Sequence, residues 1–70
     1  MRKGRKIESG WLKGYEFISY LKEAQISQIE IQKESGVGGN TISMYINGRI
    51  NPTVDTIDKL INAYNRLIGE

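Results

Sequence analysis

The chain has 70 residues, which is enough for one small domain that buries only about 60% of its unfolded surface. It has neither cysteine nor histidine, which excludes disulfide frameworks, zinc fingers and iron–sulfur sites and removes the commonest general base of enzymes. Hydrophobic residues make up 39% of the sequence. No apolar run approaches the roughly 20 residues that a membrane-spanning helix needs. Composition therefore predicts a globular, cytoplasmic domain with no metal, no cofactor and no enzymatic activity.

The net charge of +2 is unevenly distributed along the chain. Four of the ten basic residues fall within the first six positions, namely Arg2, Lys3, Arg5 and Lys6. Residues 7–70 then hold six basic and eight acidic side chains, a net charge of −2. We interpret residues 1–10 as a flexible basic N-terminal arm, which either contacts phosphate or is merely solvated. Residues 11–70 form the predicted domain.

Two helices are predicted in the first half of that domain. Apolar residues at helical spacing predict a first helix from about residue 12 or 15 to residue 24, with a start that Gly14 weakens. Ser27 caps a second helix, because Glu30 stands at the distance of a capping box. Gly36 ends this helix, since glycine readily adopts the positive φ of a C-cap.

Two further helices follow the turn. Ile42, Tyr45 and Ile46 at positions i, i+3 and i+4 predict a third helix with one apolar face. After a loop, Thr53 caps a fourth helix whose apolar stripe runs over residues 54–68. There is no strand pattern. The sequence therefore predicts an all-α, compact bundle of four or five short helices around a central helix-turn-helix.

The exposed face of the third helix is unusual in its composition. It carries glycine, asparagine, threonine and serine, which have poor helix propensity and no charge. A position in the major groove of DNA would explain such a face, because asparagine bonds an adenine edge in a bidentate way and the hydroxyl residues reach either base type. The alternative is a polar surface helix without a partner.

Residues 26–52 resemble the helix-turn-helix of lambda repressor/Cro-type regulators, the XRE family. The resemblance is carried by Ser27-Gln28, Ile31, Gly36-Val37, Thr41-Ile42-Ser43, Asn47-Gly48 and Pro52. With the first and fourth helices it covers residues 12–65, and it implies a lambda repressor-like fold.

The resemblance also implies roles for individual residues. Four would face base edges: Gly39, Asn40, Thr41 and Met44. Seven would lie at the sugar-phosphate backbone: Ser27, Gln28, Gly38, Ser43, Asn47, Arg49 and Asn51. Some family members wrap an N-terminal arm around DNA, and Arg2, Lys3, Arg5 and Lys6 would then add phosphate contacts. Asn40 is the first candidate for direct readout.

Three departures from the family pattern affect the third helix, which corresponds to the recognition helix of the family. Gln32 replaces a small alanine that usually lies close to this helix, so an altered crossing is expected. Gly38 replaces the usual Ser/Thr cap and Gly39 follows, which predicts a loose helix start. Leu21 and Ile46 replace an arginine–glutamate pair of the family. Both charges are replaced together, since the loss of one partner alone would leave a buried charge unpaired. We expect Leu21 and Ile46 to be in contact.

The function implied is a sequence-specific transcriptional regulator that binds double-stranded DNA, namely a Cro-like repressor of a phage or mobile element acting by operator occupancy. A homodimer is expected, since one short recognition helix reads few base pairs. Tyr64, Leu67 and Ile68 either cover the core or form the dimer contact. The alternatives are an antitoxin-type protein, or a protein-interaction module anchored by Ile29 and Met44. No membrane or small-molecule ligand is expected.

Overall fold

The computed structural model describes residues 4–8 and 10–69, so Arg2 and Lys3 of the predicted arm lie outside the described residues. Its helices are α1 (Gly14–Ala24), α2 (Gln28–Ser35), α3 (Gly39–Ile46) and α4 (Val54–Leu67). No strand occurs within these two described ranges. The all-α class and the order of the predicted helices are confirmed. In the same part of the chain, no helix combines the length and the apolar character needed to cross a membrane.

Local capping signals set the ends of α2 and α4. The Ser27 hydroxyl accepts the Glu30 amide at 3.1 Å, and the Glu30 carboxylate accepts the Ser27 amide at 3.2 Å. This reciprocal pair confirms the predicted capping box. Gly36 ends α2 in the left-handed region at φ +75°, and the Thr53 hydroxyl accepts the Thr56 amide at 3.3 Å at the start of α4.

All four helices contribute to a single core. Its largest fully buried side chains are Phe17 and Leu21 from α1, Ile31 from α2, Ile42 from α3, and Ile57, Leu60 and Tyr64 from α4. Helix α2 packs against both α3 and α4, and α1 packs against α3. As a result α3 is supported by α1 and α2 and keeps its polar residues at the surface.

A buried glycine brings α1 and α3 close together. A Cβ on Gly14 would overlap the carbonyl group of Tyr45, so this contact requires glycine. The Tyr45 hydroxyl donates a hydrogen bond of 2.6 Å to the Leu12 carbonyl oxygen, and its ring lies 5.8 Å from that of Phe17. Burial raises the pKa of Tyr45 to about 12. Gly14, expected only to weaken the helix start, therefore permits the α1–α3 contact.

Residues 4–8 pack on the domain, which differs from the prediction of a flexible arm over residues 1–10. Ile7 is only 3% exposed. The Asn65 side chain accepts the Ile7 amide and donates to the Ile7 carbonyl oxygen, both at 3.0 Å. The Tyr64 hydroxyl donates to the Arg5 carbonyl oxygen at 2.7 Å. This segment is therefore attached to α4 through its backbone.

The apolar residues at the end of α4 lie in the core of this chain. Tyr64 is 0% and Ile68 7% exposed, and Leu67 is partly buried against the same cluster. Core packing is thus the alternative that the structure supports for Tyr64 and Ile68. Leu21 is buried, and Ile46 packs partly buried against the cluster that contains Leu21; a direct contact between these two side chains stays a prediction.

Candidate nucleic-acid interface

The predicted DNA-contacting residues of α2, α3 and the following loop all remain accessible. Those that are exposed are Ser27, Gln28, Gly38, Asn40, Asn47, Arg49 and Asn51. Those that are partly buried are Gly39, Thr41, Ser43 and Met44. Since none of them is needed to fill the core, the surface they form is available to a partner.

Helix α3 has two faces of opposite character. Ile42 and Tyr45 are buried in the core. Asn40, Thr41 and Met44 are accessible, and Met44 is a neighbour of the other two on the helix surface because it follows them by four and three residues. This brings three of the four predicted base-reading residues together on one uncharged patch.

The N-terminus of α3 has no side-chain cap. Gly38 takes the N-cap position with extended backbone at φ −60° and ψ 143°, and no side chain accepts a hydrogen bond from the first turn. The Gly38 carbonyl does accept the Ile42 amide at 3.1 Å, which closes the first helical bond. The preceding amides of the first turn are left for water or for a ligand.

The N-terminus of α2 is different, because its capping box already uses two donors. The amides of Ser27 and Glu30 bond to each other's side chains, and the Ile31 amide bonds to the Ser27 carbonyl at 3.1 Å. An anion at this end would therefore meet the amides of Gln28 and Ile29 and the Gln28 carboxamide. The negative charge of Glu30 at the same end opposes an anion and makes the neutral Gln28 side chain the more important group.

The loop after α3 turns back onto the helix. The Asn47 side chain donates to the Ser43 carbonyl oxygen at 2.9 Å, and the Arg49 amide donates to the Met44 carbonyl oxygen at 2.8 Å. Gly48, at φ +73°, makes this turn. Arg49 is exposed at the end of the turn and is the single charged residue between positions 36 and 54.

Two other arginines are engaged elsewhere. Arg5 binds Glu23 of α1 at 3.0 Å, lies 4.9 Å from the centre of the Tyr20 ring, and has a raised pKa mainly because of the Glu23 hydrogen bond. Arg66 bonds to both the carboxylate and the backbone carbonyl of Glu34, at 2.8 and 3.1 Å. Within the described part of the predicted arm, Arg5 is thus directed at α1.

Gln32, at which an altered crossing of the two helices stays a prediction, faces a glycine on α3. The Gln32 side chain lies over Gly39, where a Cβ would be 2.5 Å from Oε1 of Gln32. A larger residue on α2 is therefore matched by the absence of a side chain on α3. These two departures from the family pattern compensate each other, which the sequence showed only as two separate changes.

Helix α2, with its capping box, and the short helix α3 are joined by a turn at Gly36. Helix α3 buries its apolar face and leaves an uncharged face accessible. This arrangement defines a helix-turn-helix domain. A family model described as Helix-turn-helix matches residues 18–70, which is more than half of the chain. The chain therefore belongs to this family of XRE-type, lambda repressor/Cro-like regulators, which is a DNA-binding family and not a family of enzymes. Comparison with curated proteins and with solved structures finds no match.

Proposed function

We propose that the chain is a sequence-specific repressor that occupies an operator in double-stranded DNA, as a Cro-like regulator of a phage or mobile element would. The observation that supports this most is the accessible, uncharged patch of Asn40, Thr41 and Met44 on α3. Its side chains can bind the edges of bases. The uncapped first turn of α3 beside it carries free backbone N–H donors that can bind a phosphate. Occupancy of the operator would exclude the transcription machinery.

In this proposal α3 lies in the major groove and the residues around it hold the phosphates. Asn40 bonds an adenine edge through its carboxamide, and Thr41 and Met44 offer methyl groups to thymine. The phosphate contacts fix the register of the domain but carry no sequence information. They are made by Ser27, Gln28, Gly38, Ser43, Asn47, Arg49 and Asn51.

We propose further that two copies bind as a homodimer, because one recognition helix of eight residues reads only a short half-site. Two half-sites about one helical turn of DNA apart are the common solution for such domains. Tyr64 and Ile68 are buried within one chain, so the partner copy contacts other residues, of which the half-buried Leu67 is one candidate. A footprint with two-fold symmetry would support the dimer.

Replacement of Asn40 by alanine tests the base-reading role. The footprint of the purified protein on the DNA upstream of its own gene first defines the operator. We expect Asn40→Ala to weaken binding there by about tenfold, the cost of one lost bidentate pair, and to leave binding to unrelated DNA unchanged. Asn62→Ala removes an exposed carboxamide from α4 and serves as the control. Equal operator affinity of both variants would contradict the proposal.

The basic N-terminal residues are proposed to add phosphate contacts, and the structure suggests which of them to test. Replacing both Arg2 and Lys3 by glutamine should reduce the slope of log affinity against log salt by about 2 units per subunit. Arg5→Gln should change it less, because Arg5 is held by Glu23. These substitutions retain the hydrogen bond from the Tyr64 hydroxyl to the Arg5 carbonyl oxygen, which a deletion of residues 1–6 would remove. An unchanged slope in the double variant would leave the arm without a role on DNA.

One observation favours a second candidate, a protein-interaction module that keeps the fold without DNA contact. Ile29 is 63% exposed at the start of α2, and together with Met44 of α3 it would offer an apolar anchor to another protein. Ile29→Ser would then abolish the binding of the partner protein. Asn40→Ala separates this candidate from the repressor, because only the repressor would lose protection of the operator DNA.

A further inference from the structure

The residue at the start of the recognition helix has no side chain of its own, and another residue occupies its place. A Cβ on Gly39 would lie 2.5 Å from Oε1, 3.2 Å from Cδ and 3.7 Å from Nε2 of Gln32. All three atoms belong to the carboxamide of Gln32. The polar end of this α2 side chain therefore fills the space in which a side chain of residue 39 would begin.

The carboxamide of Gln32 remains open to a ligand. Gln32 is exposed, and within residues 4–8 and 10–69 its side chain makes no hydrogen bond, although its backbone carbonyl accepts the Gly36 amide at 2.9 Å. A carboxamide offers two N–H donors and one carbonyl acceptor. Because Gln32 is exposed, these three groups bond to water in the free protein, and a base edge could take the place of that water.

Its position on α2 aligns it with the proposed DNA surface. Gln28 and Gln32 are four residues apart, so they are neighbours on one face of α2. Gln28 is a proposed phosphate contact, and Asn40 follows directly after Gly39 on α3. Gln32 is thus on the face of α2 that carries a proposed phosphate contact, and its carboxamide lies against the residue that precedes a proposed base reader.

We infer that Gln32 is a specificity-determining residue that reads a base edge from α2 in place of the missing side chain of residue 39. A carboxamide matches adenine, with its N6 amino group and N7 acceptor, in a bidentate way. The base pair that Gln32 contacts is adjacent to the one that Asn40 contacts. This inference rests on the proposed binding of DNA and adds a reader outside the recognition helix.

Selection of bound duplexes from a randomised pool, followed by sequencing, measures the preference at every base pair. The full-length chain and its Gln32→Ala variant are compared. We expect the variant to lose about tenfold of its preference for adenine at one base pair of each half-site, with the other positions unchanged. Asn62→Ala, which removes a carboxamide from the surface of α4, should keep the full motif.

A second variant tests the same contact without altering Gln32. The new methyl group of Gly39→Ala would displace the carboxamide, since 2.5 Å is closer than van der Waals contact and the end of a flexible side chain can move. This variant should lose preference at the same base pair as Gln32→Ala. The double variant should show no additional loss, because both substitutions remove one interaction. Thermal unfolding confirms that each variant is folded.

The outcomes separate the two proposals. If the unaltered chain enriches no sequence, the proposed function fails and this inference fails with it. If the chain enriches a motif that Gln32→Ala retains at every position, this inference alone is overturned. A uniform loss of affinity across all sequences would also overturn it, because it would make Gln32 a phosphate contact instead of a base reader.

Discussion

The two ends of α3 are attached to the rest of the molecule in opposite ways. At the C-terminal end, Tyr45 is buried, donates a short hydrogen bond to Leu12 and packs on Phe17, while Gly14 lets α1 approach its backbone. At the N-terminal end, the cap is Gly38 without a side-chain acceptor. The neighbouring contact there is the exposed Gln32 side chain.

This difference assigns separate tasks to the two ends. The C-terminal end sets the position of α3 on the domain, because the Tyr45 ring is buried there and its hydroxyl is hydrogen-bonded to Leu12. A weakly held N-terminal end can adjust to bases and can be ordered by them, at the cost of some backbone entropy on binding. Substitutions at the first end should therefore change stability, and substitutions at the second should change DNA binding with little effect on stability.

The largest effect is expected from Gly14→Ala. The new methyl group would overlap the backbone of α3, which cannot move aside as a side chain can. We expect a loss of about 3 kcal/mol in the free energy of unfolding, measured by urea denaturation. Gly10→Ala is the matched control, because no atom lies within 4 Å of the position of its Cβ. Equal stability of the two variants would show that the close α1–α3 contact is not required.

Tyr45→Phe should have the next largest effect. It retains the ring and leaves the buried Leu12 carbonyl without its donor, which costs about 1–2 kcal/mol of unfolding free energy. Tyr15 is 65% exposed, so Tyr15→Phe should be close to neutral in the same denaturation experiment. A neutral Tyr45→Phe would mean that the Leu12 carbonyl finds another donor.

The same tyrosine predicts how stability depends on alkaline pH. Its folded pKa of about 12 exceeds the ordinary value of 10.0 because the charged form is disfavoured by burial. The contribution of neutral Tyr45 to the free energy of unfolding is therefore complete below pH 10 and is lost as the pH rises from 10 to 12. We expect unfolding free energies measured across this range to fall less steeply in Tyr45→Phe than in the unaltered chain. Parallel curves would contradict this assignment.

The smallest change in stability is expected at the other end of α3. No atom lies within 4 Å of a Cβ on Gly38, and the residue has extended backbone. Gly38→Ser can therefore cap the helix and should add a few tenths of a kcal/mol to the unfolding free energy.

Gly38→Asp should stabilise α3 to a similar degree but should weaken DNA binding, because its carboxylate would face the proposed phosphate. Comparing the two Gly38 variants in a thermal melt and in a binding titration separates capping from charge. Equal DNA affinity of the serine and aspartate variants would place the phosphate elsewhere.

The sequence was most informative where structure depends on neighbours along the chain. The capping box of Ser27 and Glu30, the stop at Gly36 and the cap at Thr53 are local, and each was predicted at the residue where it occurs. The family resemblance located the accessible patch of α3.

Contacts between distant positions could not be derived in the same way. The backbone of Ile7 is hydrogen-bonded to Asn65, which is 58 residues away, and one isoleucine among polar residues produces no periodic pattern. Gly14 has low helix propensity, so the sequence alone shows only a weak helix start. Its role in the close α1–α3 contact is visible only from the opposing backbone of α3. The match of Gln32 with Gly39 is likewise visible only once two helices have been placed together.

The last turn of α4 has a consequence for the motions of the molecule. Tyr64 and Asn65 bind the backbone of residues 4–8, and Arg66 binds Glu34 of α2. Helix ends usually fray, and their amide protons exchange quickly with solvent. Here, loosening the end of α4 would also break its hydrogen bonds to the N-terminal segment and to Glu34 of α2. Backbone amides of this turn should therefore exchange with deuterium nearly as slowly as those in the middle of the helix.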